Sequence, residues 1–256
     1  MCGRFTLTDP KSLVASIGSS LGLDEELVLP EGMDIARYNV APSQPVLVMP
    51  NSDDRHLEAF RWGLVPFWAD DVSIGYRMIN ARAETLAEKP AFRRYFAKRR
   101  CLVFADGFFE WRRGKGKNKV PMYIRRADGA PFAFAGLWAV WRKQKQPLTS
   151  CTIVTTTPTP LVAPIHDRMP VILPPARWDA WLDPEHIKDR DALAELQALL
   201  VPYEDELVAS AVSRRVGSPQ NDDPECLAPF EGDVDEVLDA ADKRKRPVQQ
   251  SLFDDL

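Results

Sequence analysis

The sequence predicts an α+β fold built on a largely antiparallel β-sheet. Three observations carry that prediction. Apolar runs of strand length recur at residues 46–49, 102–105, 132–138, 151–156 and 171–173. Helical periodicity is confined to a few segments. The chain is also interrupted by 22 prolines. Short strands separated by turn signals argue for antiparallel pairing rather than alternating βαβ units. With 45% apolar and 27% charged residues over 256 positions, the composition suits one globular domain with a sizeable core.

In chain order, Thr8-Asp9-Pro10 reads as a helix start, with Asp9 as cap and Pro10 in the first turn. Leu13, Val14 and Ile17 follow at helical spacing, and Gly18 is expected to end the helix. Residues 22–36 read as loop. The prolines of Tyr38-Asn39-Val40-Ala41-Pro42-Ser43-Gln44-Pro45 favour extended backbone and lead into the strand Val46–Met49. After a polar turn at Asn51–Asp54, residues 57–68 read as a strand and turn ending in Arg61-Trp62-Gly63-Leu64-Val65-Pro66-Phe67-Trp68. Aromatics grouped this way are either core or a platform on which bases stack.

Pro90 starts an amphipathic helix with Phe92, Tyr95 and Phe96 on one side; Arg93, Arg94, Lys98, Arg99 and Arg100 cover the rest. Leu102–Ala105 has a buried-strand pattern. Asp106-Gly107 is a turn signal, which puts Glu110 on a return strand between Phe109 and Trp111. A carboxylate among aromatics is partly desolvated, which raises its pKa into a useful acid/base range; the other reading is a Glu on the solvent face of a hairpin. Residues 112–119 form a flexible basic loop, and Val120, Met122 and Ile124 alternate as in a half-buried strand. The strands at 132–138 and 151–156 come next. Thr155-Thr156-Thr157 then leads into the loop Pro164-Ile165-His166-Asp167-Arg168-Met169-Pro170, where His166 is either a general acid/base or a structural histidine. Helices are expected at 175–182, with Trp178, Trp181 and Leu182 inward, and at 191–200. Val212–Val216 reads as a short strand and Asn221–Pro224 as a turn.

Charge and cysteine usage narrow the function. The formal net charge of −4 hides segregation: residues 93–145 hold fifteen Lys/Arg against Asp106, Glu110 and Asp128. Such a block is either a solvated face or a polyanion-binding surface. No apolar run has transmembrane length and no signal peptide opens the chain, so no membrane role is expected. Cys2, Cys101, Cys151 and Cys226 lie far apart without a CxxC pair, and the three His lack HExxH spacing. A disulfide framework, a metal site and a cofactor are therefore not expected. A reducing, cytoplasmic location is.

The N-terminus is the most specific chemical signal. Met1 precedes a small residue, so its removal is expected, leaving Cys2 with a free α-amine beside its thiol. Such an aminothiol condenses with an aldehyde to an imine and closes a thiazolidine ring; an internal Cys, whose nitrogen is a planar amide, cannot. An α-amine titrates near about 7.7–8.0, against about 10.4 for Lys, so roughly a tenth of it is neutral at pH 7.

Six motifs in order resemble one family: Cys2-Gly3-Arg4-Phe5, Tyr38-Asn39-Val40-Ala41-Pro42, Trp62-Gly63-Leu64-Val65-Pro66, Asn80-Ala81-Arg82-Ala83-Glu84-Thr85, Ala105-Asp106-Gly107-Phe108-Phe109-Glu110-Trp111 and His166-Asp167-Arg168-Met169-Pro170. The set, spanning residues 2–226, is similar to the SOS-response-associated peptidase (SRAP) family of abasic-site processing proteins. The resemblance implies a barrel-like sheet core with peripheral helices in a catalytic domain over residues 1–230. The implied partner is single-stranded DNA carrying an abasic site. The implied activity is a lyase-like covalent crosslink at Cys2 that shields the lesion at damaged replication forks, near the nucleoid. It also assigns roles. The Cys2 amine attacks C1′, Asn80 holds the amine or sugar, Glu110 moves protons and His166 acts on the sugar oxygen. Arg4, Arg82 and Arg168 clamp phosphates, Trp68 and Trp111 stack or wedge, and Asn39 and Pro42 line the groove. Two other readings stay open: a cysteine peptidase, self-processing only or acting in trans, and a non-catalytic single-stranded DNA-binding protein. A monomer is expected.

Residues 231–256 carry eight acidic and four basic side chains and read as a disordered charged tail. It ends Gln249-Gln250-Ser251-Leu252-Phe253. This resembles the short peptide by which bacterial proteins bind the replication sliding clamp, with Gln249 hydrogen-bonding and Leu252 and Phe253 filling an apolar pocket; the alternative is a solubilising tail.

Overall fold

In the computed structural model, which describes residues 2–23, 27–185, 187, 189–203 and 205–240, the apolar runs become strands of two sheets. The first half contains β1 (Arg4–Leu7), α1 (Pro10–Leu21), β2 (Arg37–Val40), β3 (Pro45–Pro50), β4 (Glu58–Trp62), β5 (Asn80–Arg82), α2 (Arg93–Lys98), β6 (Arg100–Ala105) and β7 (Gly107–Arg113). The second half contains β8 (Lys119–Arg126), β9 (Phe132–Trp141), β10 (Leu148–Thr156), β11 (Met169–Pro170), β12 (Ile172–Leu173), α3 (Trp178–Leu182), α4 (Arg190–Ala198), β13 (Leu207–Ala211) and α5 (Val234–Asp239). No described helix is long and apolar enough to cross a membrane.

The expected barrel-like core is present. Strands β3, β4, β10, β9 and β6 pair in a closed ring, antiparallel throughout except for the parallel β4–β10 pair. A second sheet, ordered β13-β8-β7-β1-β2, packs against it. The two faces of the ring strands show why their sequences are apolar without a break. Val46, Val48, Cys101 and Val103 share a cluster with Phe5, Phe108 and Ile124 of the second sheet. The alternate positions, Leu47, Met49, Leu102 and Phe104, share a cluster with α1, α2 and α3. Trp178, Trp181 and Leu182 are inward, as their spacing predicts.

Several local expectations need correction. Helix α1 runs past Gly18 to Leu21 and is closed instead by Gly22 in the left-handed region (φ 60°). Asp106-Gly107 does not make a hairpin: β6 pairs with β3 and β9, whereas β7 pairs with β1 and β8, so the chain crosses between sheets there. Asp106 splices that crossing by accepting from Thr6 Oγ1, Thr8 N and Thr8 Oγ1. Arg100 is no surface cation of the helix. It opens β6 fully buried, donating to the carbonyls of Trp181 (2.9 Å), Phe96 (3.1 Å) and Asp183 (2.5 Å). Burial lowers its pKa to about 10, still charged at neutral pH. The late strand is Leu207–Ala211; within the predicted Val212–Val216 strand lies the start of a 3-10 turn, Arg214–Gly217. Residues 231–240, read as disordered, carry α5, whose Leu238 is buried. Gln249, Leu252 and Phe253 lie outside the described residues.

Candidate active site

Strand β1 delivers the N-terminal residues to the site. Its antiparallel register against β7 pairs Arg4 with Phe109 and Phe5 with Phe108, so the chain before Arg4 runs alongside Glu110 and Trp111. Cys2 is fully buried there, in the same apolar cluster as Phe5 and Phe108. Its thiol faces the Arg4 carbonyl at 3.8 Å. Burial first, and the charge of Glu110 second, push the thiol pKa well above its ordinary value.

Asn80 reaches Cys2 by a different route. Gly63 adopts φ 115°, and a Cβ there would lie 2.7 Å from the Gly75 carbonyl oxygen, so only glycine lets residues 72–77 pack this closely. Buried Trp62 donates from Nε1 to the Ile79 carbonyl (2.9 Å), and Leu64 N–H to the Met78 carbonyl (3.1 Å). Parallel pairing with β10 then sets Asn80 beside Ile153. From this position Asn80 Nδ2 donates to the Cys2 carbonyl at 2.7 Å, leaving its buried Oδ1 without a hydrogen-bond partner among the described residues. Trp62 is therefore core, whereas Phe67 and Trp68 are 51% and 48% exposed.

Glu110 is 2% exposed, and its pKa is raised to about 7, chiefly by desolvation. Asp167 also raises it, so the loop before β11 lies within electrostatic reach of β7. On that loop His166 Nδ1 lies 3.0 Å from the Arg168 N–H and 2.9 Å from the Asp167 carboxylate. The first contact needs a lone pair on Nδ1 and the second a proton. Burial lowers the His166 pKa below its usual value, which favours the neutral ring.

The structure brings Cys2, Asn80 and Glu110 together and sets the His166 loop beside them. The other candidates divide. Arg4 donates to Asn39 Oδ1 (2.9 Å) and to the Val216 carbonyl (2.7 Å). Asn39 is fully buried and donates to the carbonyls of Val216, Ser218 and Asn221, so it anchors that segment rather than facing a groove. Pro42 is half-buried in the turn between β2 and β3. Arg168 makes a bidentate pair with Glu84 (2.7 and 2.9 Å) and also donates to the Thr155 carbonyl. Arg82 and Trp68 are exposed, and Trp111 is half-buried with Lys119 Nζ 5.9 Å from its ring centroid. Sequence reasoning gave no role to Glu84 or Asp167, although both sit inside the motifs. Glu84 shares its motif with Asn80, two residues beyond Arg82, and that spacing is the signal that could have marked it.

Comparison with known proteins gives one answer. The model of the family described as SOS response associated peptidase (SRAP) matches residues 1–219. The abasic site processing protein YoqW of Bacillus subtilis (strain 168) is 47% identical over 230 residues, 89% of this chain and 99% of that protein. The abasic site processing protein YedK of Escherichia coli (strain K12) is 33% identical over 231 residues, 90% of this chain and 100% of that protein. A crystal structure of a protein from Bacteroides thetaiotaomicron superposes with a TM-score of 0.72 at 27% identity, covering 89% of this chain and 99% of that one.

Proposed function

The chain belongs to the SOS response associated peptidase family, and from that premise we propose that it processes abasic sites in single-stranded DNA by covalent capture at Cys2. The observation that carries the reading is the hydrogen bond from Asn80 to the Cys2 carbonyl, which fixes the N-terminal residue beside a carboxylate whose pKa is about 7.

The ring-opened abasic deoxyribose presents an aldehyde at C1′. After Met1 removal the Cys2 amine adds to that carbon, and loss of one water gives an imine. The thiol sulfur then adds to the same carbon while its proton passes to nitrogen, closing the thiazolidine. One C–N and one C–S bond form. Glu110, half-ionised near neutral pH, takes and returns protons through these steps. His166 protonates or stabilises the sugar oxygen released on ring opening. Asn80 positions the nucleophile through the backbone of Cys2, a more indirect hold than a bond to the amine or sugar. Arg82 meets phosphate, and Trp68 and Trp111 stack beside the gap left by the missing base. Arg4 and Arg168, committed to Asn39 and Glu84, position the groove walls in the DNA-free protein.

The raised thiol pKa counts against a cysteine peptidase, whose nucleophile is a thiolate with a lowered pKa. Capture starts at the amine and needs no thiolate at rest. The test is denaturing electrophoresis with single-stranded DNA containing one abasic site. The wild-type protein gives a heat-stable shifted band and Cys2→Ser gives none while still binding reversibly. Absence of a band from protein lacking Met1 by mass spectrometry defeats the proposal, and cleavage of unrelated peptides without DNA favours the peptidase.

A further inference from the structure

We infer that the hairpin of β7 and β8 is a nucleic-acid backbone-binding surface, and that the chain's own acidic segment around α5 occupies it when DNA is absent. The inference rests on the abasic-DNA reading for its choice of polyanion, but on separate residues for its geometry. Helix α5 lies beyond the part of the chain that the family model matches.

Charge and contact make the case together. Residues 112–119 carry five cations and no acid; residues 231–240 carry five carboxylates and no cation. The two are in contact. Lys115 N–H donates to the Leu238 carbonyl (2.7 Å) and Asn118 Nδ2 to the Ala240 carbonyl (2.7 Å). Asp235 lies 3.4 Å from Arg112, and Asp239 lies 3.3 Å from Lys115. A six-residue helix does not hold itself together in water, so α5 depends on this seat and on burial of Leu238. The seat is cut for it: a Cβ on Gly114 would overlap the Leu238 main chain.

The hairpin is also well placed. It continues the strand that carries Glu110 and Trp111, and the charge of Arg113 is felt at His166. Arg113, Lys117 and Lys119 stay exposed beside the covered pair. The two ion pairs are solvent-accessible, with side-chain exposures of 39% and 79% in one and 69% and 74% in the other, so each contributes little and a phosphate can replace it. Carboxylates on Arg112 and Lys115 thus stand where backbone phosphates would.

The test uses full-length Cys2→Ser protein, which keeps binding reversible, and a labelled single-stranded oligonucleotide with one abasic site. Anisotropy is read from about 50 to about 200 mM salt. Asp235→Asn with Asp239→Asn should tighten binding about three- to thirtyfold at low salt, and steepen the salt slope by about one to two as Arg112 and Lys115 become available. Gly114→Ala should do the same without any change of charge, while Asp53→Asn with Asp54→Asn, on an exposed turn, should change affinity less than about twofold. Should Gly114→Ala fail to fold, the two asparagine pairs decide. Unchanged affinity and slope in the Asp235/Asp239 pair, or equal tightening in the Asp53/Asp54 pair, overturns the inference. Crosslinking by protein with Cys2 intact is scored separately. Crosslinking with unchanged slopes defeats this surface alone; steeper slopes without crosslinking defeat only the covalent reading.

Discussion

At one end of the β1–β7 ladder, Asp106 accepts three hydrogen bonds, from Thr6 Oγ1, Thr8 N and Thr8 Oγ1. At the other end, Glu110 is buried beside Cys2 and its pKa is raised to about 7. Both carboxylates sit on one stretch of chain, four residues apart. Asp106 is bonded to the strand it must hold and joins two sheets. Glu110 has lost its hydration to apolar walls, so its charged and neutral forms are close in free energy at neutral pH. The contrast teaches that its surroundings decide whether a carboxylate fastens a fold or carries a proton: Asp106 is half-buried and bonded, Glu110 buried and desolvated.

Substitutions can break or sharpen this contrast. The largest effect is expected from Cys2→Ser, which should remove covalent capture entirely while leaving reversible DNA binding, read on denaturing and native gels side by side. Glu110→Gln should slow capture by about 10²–10⁴-fold in single-turnover kinetics, with the protein still folded. If that variant captures at the wild-type rate, the proton-transfer role is lost and the two ends of the ladder differ only in packing.

A third expectation concerns pH. The carboxyl of Glu110 titrates at about 7 in the folded protein, against an ordinary value of 4.5. Between those values the native state holds the proton and the unfolded chain does not, so stability falls as pH rises through that window and then levels off. The fall is on the order of 3 kcal/mol. Denaturant melts of wild type and Glu110→Gln should therefore agree at acid pH, diverge as pH rises from 4.5 to about 7, and keep a constant gap above that, the variant being the more stable. Parallel curves would mean that Glu110 is not desolvated as described. The smallest effect belongs to Asp106→Asn. Its amide would oppose a donor of Thr6 or Thr8, costing about 1–3 kcal/mol of stability, while the capture rate per folded molecule stays unchanged.

Much of this was legible in the sequence because the signals were local. A cap and a following proline announce α1, and unbroken apolar runs announce the ring strands. The site motifs were legible as residues, but not as bonds. Asp106-Gly107 looks like a hairpin because a dipeptide reports backbone preference and cannot report that the strands before and after it join different sheets. Arg100 looked like a surface cation because the helical pattern around it is amphipathic. Its actual partners, the carbonyls of Trp181 and Asp183, lie about eighty residues away in sequence. Asn39 and Arg4 were expected to face DNA, and their commitment to the Val216–Asn221 segment is equally non-local.

The complete burial of Cys2 carries a consequence for synthesis. Cys2 takes its place beside Glu110 only once β7 has been made and pairs with β1. At about 5–20 residues per second, translation reaches that strand in roughly 5–20 s. Asn80 and His166 take their places later still, once β10 and β11 exist. The aminothiol therefore meets its partners only when most of the polypeptide has been translated.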